Sequence, residues 1–101
     1  MKGRPAIGTY VGTGAAINLV LGFVPEYIKI LNITDRDETW EWLSVMPDAS
    51  AIRTGPTSVS SVATNGVTPL NSDVLGRGIT VGSALSESAK TFAYVAFSAE
   101  A

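Results

Sequence analysis

Apolar positions along this chain come in short runs whose spacing fits strands. Residues 15–21 and 27–34 are mostly β-branched, aromatic or leucine, and Gly22-Phe23-Val24-Pro25 interrupts them, so they predict two strands joined by a tight connection. A polar turn over 34–38 follows. Next comes Thr39-Trp40-Glu41-Trp42-Leu43-Ser44-Val45-Met46, with its two tryptophans two residues apart. A strand repeats every second residue, so both indoles fall on one face. Residues 78–82 predict a short strand pinched by glycines, 83–89 a turn or single helical turn, and 90–98 a last strand. No helical periodicity is sustained for ten residues.

Two of these strands are apolar on both sides. In the last one Phe92 and Tyr94 point one way while Val95 and Phe97 point the other, and Tyr27, Leu31 and Ile33 oppose Ile28 and Ile30 in the same manner. A strand with one wet face alternates apolar with polar. A two-sided strand therefore lies centrally in a sandwich or has its second face covered by another subunit. Residues 47–76 are rich in Ser, Thr, Gly, Pro and Asn, with short apolar pieces near Ile52, Val59, Val62 and Val67, and predict a loop-rich excursion with short strands. The first fourteen residues, spaced by Gly8, Gly12 and Gly14, predict an extended N-terminal arm (1–14). Seven or eight short strands make the expected fold all-β: an antiparallel β-sandwich or jelly-roll-like barrel over 15–101.

Composition narrows the function. Of 101 residues only 16% are charged and 46% are hydrophobic, against about 25% charged in an ordinary soluble domain. A chain this short buries only about 60–65% of its unfolded surface. Both features favour a domain that hides part of its exterior in a permanent assembly. There is no cysteine and no histidine, which removes disulfides, thiolate or imidazole metal sites and every Ser-His-Asp triad. The seven basic residues are scattered singly and the net charge is −2, so no phosphate-binding stripe is present. No apolar run approaches the roughly 18 residues of a membrane span. The expectation is a non-enzymatic protein that takes no cofactor or metal and binds neither nucleic acid nor membrane.

Three features resemble functional sites. Gly8-Thr9-Tyr10-Val11-Gly12-Thr13-Gly14 looks like a phosphate loop but lacks the following lysine and helix; its glycines fit an arm lying close to another backbone. Asp35, Asp37, Glu38 and Glu41 form an acidic cluster, yet aspartates in a turn satisfy local backbone groups, and a calcium loop needs more oxygen ligands at regular spacing. Trp40, Trp42 and Tyr27 are candidates for an aromatic platform for sugar, or for core and subunit contact.

Three segments carry a family resemblance: Gly22-Phe23-Val24-Pro25-Glu26-Tyr27-Ile28-Lys29-Ile30-Leu31-Asn32, then Gly78-Ile79-Thr80-Val81-Gly82, then Lys90-Thr91-Phe92-Ala93-Tyr94-Val95-Ala96-Phe97. Together they resemble the small β-sandwich structural proteins of tailed bacteriophage virions, in which a Gly-Phe-x-Pro turn leads into an apolar strand and a glycine-bounded strand precedes a terminal aromatic one. The resemblance implies a capsid decoration (cement) protein on the outer shell. It would be a homo-oligomer, expected to be a trimer, with the major capsid protein as partner and the capsid exterior as its location. The alternatives are a glycan-binding receptor domain of a tail fibre and a minor tail or head-completion protein. The expected interface residues are Tyr10, Phe23, Trp40, Trp42 and Phe97.

Overall fold

The computed structural model describes residues 5–98. Eight strands form: β1 (Ala6–Val11), β2 (Ile17–Val20), β3 (Pro25–Asn32), β4 (Thr39–Leu43), β5 (Ser50–Thr54), β6 (Val59–Ser72), β7 (Gly76–Val81) and β8 (Thr91–Ser98), with a single 3₁₀ turn at Ser83–Leu85 before the last. The all-β expectation holds. The strands join in one antiparallel sheet, ordered β1-β8-β3-β4-β5-β6-β7-β2, which curls into a half-barrel. Its two end strands are β1 and β2.

The curl follows from alternation. On β3 the even residues Ile28, Ile30 and Asn32 are buried while Tyr27, Lys29 and Leu31 are partly exposed. On β4 the buried positions are Trp40 and Trp42, and on β8 they are Phe92 and Ala96. With Ile79 and Val81 of β7, Val67 of β6 and Leu19 of β2, these side chains form a single core. Because strands from both ends of the order feed one core, the sheet has to roll around it. Leu85, fully buried, reaches the same core from the 3₁₀ turn.

The extended N-terminal arm does not form over the described part of 1–14. Residues Ala6–Val11 are β1, paired in full register with β8 from Ala6↔Ala96 to Val11↔Thr91. Tyr10 drives this. Its ring stacks on Phe92 with centroids 5.2 Å apart, and its hydroxyl donates to the Leu85 carbonyl at 2.8 Å; burial holds its pKa far above the usual tyrosine value. Gly8 leaves the space that the Tyr94 ring fills, since a Cβ there would lie 2.6 Å from the Tyr94 hydroxyl. Residues 1–4 of the expected arm lie outside the described residues. The glycines after β1 do meet a backbone closely, but it is the chain's own: Gly12 N–H donates to Lys90 C=O and Gly14 N–H to Ser86 C=O, and a Cβ on Gly12 would collide with the Glu87 carbonyl.

The excursion expected over 47–76 is mostly strand. β5 and the first part of β6 make a hairpin, Thr54↔Val59 through Ala51↔Val62; the register then jumps to Ser50↔Val67, and β6 continues against β7. The jump is absorbed at Asn65, with a positive φ of 62°, and at Gly66, whose missing side chain lets the Ser50 backbone approach. Residues 58–61 and 63–65 are exposed, so the hairpin's tip stands clear as an arm, while Ala51 and Val62 at its base reach the core.

Candidate assembly surface

The sheet has a second, outer face, built by the residues that the core leaves over. Cross-strand register places Ile7, Val95, Lys29, Glu41, Ile52 and Ser61 in one row across β1, β8, β3, β4, β5 and β6. The next row holds Thr9, Ala93, Leu31, Thr39, Thr54 and Val59, and on the other side Phe97, Tyr27 and Leu43 line up. Strand residues that share a row and a parity share a face. This six-strand face is therefore chiefly apolar or hydroxyl-bearing, and Lys29 and Glu41 are its two charges.

The aliphatic and aromatic members are exposed or partly exposed. Ile7 is 76% exposed, Phe97 40% and Leu43 41%. Tyr27 and Phe97 lie ring to ring at 6.0 Å, and the Tyr27 hydroxyl donates to Glu41 Oε2 at 2.7 Å. Desolvation, then that bond and the Glu41 charge, push the Tyr27 pKa up to about 12. Lys29 stands opposite Glu41 in the ladder but takes no part in the ion pairs of the described residues, which are Arg53–Glu38, Arg77–Asp73 and Lys90–Asp35. The face thus offers aromatic and aliphatic area of the kind enriched in interfaces, and its one cation, Lys29, makes no ion pair among the described residues.

The residues expected at an interface divide between the two faces. Tyr10, Trp40 and Trp42 are core side chains, at 9%, 4% and 1% exposure. Phe23 is partly buried and packs against that same core. Phe97 alone among them lies on the outer face. Trp42 Nε1 donates to the Pro47 carbonyl at 3.3 Å, whereas the buried Trp40 Nε1 has no hydrogen-bond partner among the described residues. The parity argument put both indoles on one face correctly; which face it was depended on the direction of curl. Tyr27, a sequence candidate for a sugar platform or for core and subunit contact, lies on the outer face; Val95 and Ile7 are not among the expected interface residues, although the two-sided pattern of β8 marks Val95.

The acidic cluster is dispersed into local structural roles. Asp35 pairs with Lys90 at 3.0 Å and accepts a bond from Asn32 Nδ2 at 3.4 Å; Glu38 pairs with Arg53 at 2.5 Å; Glu41 serves Tyr27. Among the described residues no group of three or more carboxylates converges as a metal site would require. An open cleft of about 400 Å³ lies between the β3–β4 and β5–β6 turns, lined by Leu31, Ile33, Arg36, Glu38, Thr54 and Pro56 among others. Of its two acids, Asp37 and Glu38, Glu38 is paired with Arg53, and Arg36 lines the same cleft. No helix among the described residues is long and apolar enough to cross a membrane. No family model, curated protein or solved structure matches this chain.

Proposed function

We propose that this chain is a structural protein of a tailed-bacteriophage virion, a decoration subunit that lies on the capsid exterior as a trimer and lays its outer sheet face against the major capsid protein. The observation that carries the proposal is the outer face itself. A six-strand surface holding Ile7, Val95, Phe97, Tyr27 and Leu43 with two charges is uncommon for a solitary soluble domain and suits a permanent contact. The sequence resemblance supplies the virion setting and the subunit number. Enzymatic chemistry has little to work with in a chain without histidine or cysteine, and none enters the proposal.

The glycan-receptor alternative rests on Trp40 and Trp42 as a sugar platform. Both indoles are sealed in the core, so this structure favours the decoration reading. The test is light scattering on the purified chain, followed by pelleting with empty capsids. A trimer that co-sediments at a ratio set by the capsid lattice supports the proposal. A chain that ignores capsids and binds a glycan array refutes it.

A further inference from the structure

The outer face is bounded by two open strand edges, and they match. Along β1, Gly12 N–H donates to Lys90 C=O, and this pair continues the β1–β8 register. Ladder bonds in an antiparallel pair recur at every second residue. The even residues of β1 are thus committed to β8, and the N–H and C=O groups of Ile7, Thr9 and Val11 point to the free edge. At the other margin, Gly55 N–H donates to Ser58 C=O, which commits Ser60 and Val62 to β5 and turns the backbone of Val59, Ser61 and Ala63 outward. β7 joins β6 only from Val67 onward, so this stretch of β6 has no neighbour on that side among the described residues.

Among the described residues neither edge carries the protection that soluble proteins give such strands. Edge strands are normally blunted by charge, proline or a covering loop, yet Ala6–Val11 and residues 57–65 contain no charged residue and no proline. Six alternating antiparallel strands separate the two margins in the order β1-β8-β3-β4-β5-β6, so the margins run in opposite directions. A second copy set beside the first in the same orientation meets it antiparallel.

We propose that β1 of one copy is completed by the β5–β6 arm of a second copy, with Thr9 opposite Ser61, Ile7 opposite Ala63 and Val11 opposite Val59. This rests on the assembly reading above and specifies its contact. The register sets β-branched and small apolar side chains against one another on the outer face and pairs the two hydroxyl residues at the centre, a favourable cross-strand combination. It also makes the outer faces of neighbouring copies continuous. Self-pairing of β1 would leave the arm edge bare, whereas this single head-to-tail contact covers both edges and closes into a ring when the rotation permits.

The test uses two variants of the full chain, Thr9→Pro and Ser61→Pro. Each removes an N–H that its own sheet does not use, a place where edge strands tolerate proline, so each should keep the circular-dichroism spectrum and cooperative melt of the parent. Each should be monomeric by light scattering where the parent is oligomeric. Mixed, they should form a species of two copies, because each still has the edge that the other lacks. Amide exchange provides a second readout: the parent's Thr9 amide should exchange about ten-fold or more slowly than that of Ser61→Pro, and its Ser61 amide about ten-fold or more slowly than that of Thr9→Pro. A variant that stays fully oligomeric, a mixture that stays monomeric, or a parent with fast-exchanging Thr9 and Ser61 amides overturns the proposal. Capsid co-sedimentation separates this from the virion reading. Edge-joined oligomers that ignore capsids sink that reading alone, and capsid-binding oligomers indifferent to both prolines sink the edge contact alone.

Discussion

The inner and outer faces of β3 and β8 are made from similar residues and have different fates. Inside, Ile28, Ile30, Phe92 and Ala96 are sealed at 1% exposure or less; outside, Tyr27, Leu31 and Val95 are only partly covered and Phe97 is open. Apolar character in a sequence marks surface that ought to be buried. It does not say whether the chain itself or a partner does the burying. Here the curl decides: the concave side closes on Trp40, Trp42 and Leu85, and the convex side has nothing to close on among the described residues.

The widest contrast between the faces should appear on truncating one large aromatic from each. Trp42→Ala empties a fully buried site and removes one of the two hydrogen bonds to the Pro47 carbonyl, so denaturant melts should show a loss of about 3–5 kcal/mol. Phe97→Ala should cost the isolated subunit under about 1 kcal/mol, with its effect appearing in assembly. Equal losses would mean that the outer face is not the free surface described.

Adding a little volume sharpens the same contrast. Ala96 has no exposure and Ala93, three residues earlier on the strand, faces out. Ala96→Val should destabilise by about 1–3 kcal/mol through overpacking, whereas Ala93→Val should be close to neutral, since a β-branched residue suits a strand surface. Thermal melts of the two variants side by side decide it.

The smallest effect is in alkali. Tyr27 is neutral in the fold up to about pH 12, while in the unfolded chain it ionises near the ordinary value of about 10. Its folded pKa is the higher one, so its contribution is complete below pH about 10 and is lost as the pH climbs towards 12. Tyr10, with its pKa also raised, adds to the loss in the parent. Tyr27→Phe should therefore retain part of the stability that the parent sheds over that window, and coincident pH profiles would show that the Tyr27 to Glu41 bond has no influence on folding.

Much of the fold was legible. The period-two pattern located β3, β4 and β8, and the glycine-bounded run located β7, because their inward positions hold large side chains. β1 was read as an arm because its inward positions are Ala6, Gly8 and Tyr10. The apolar mass that should have announced the strand is supplied across the ladder by Tyr94 and Phe92, and sequence order cannot reveal that partner. β5 and β6 were read as an excursion for a related reason: most residues of the hairpin face solvent, so serine and threonine replace the usual alternation. Of the candidate surface, Phe97 and the two-sidedness of β3 and β8 were legible. The inward direction of Trp40 and Trp42 was not, since parity fixes only which residues share a face, and the curl that chooses the face comes from long-range pairing.

Capsid binding by the outer face is tested most directly by pelleting. Empty capsids should be pelleted with the parent chain and with a Val95→Glu, Phe97→Glu variant whose melt matches the parent's. The account predicts that the parent co-sediments at a lattice-set ratio and that the variant, folded, stays in the supernatant. A variant that pellets as well as the parent would contradict it.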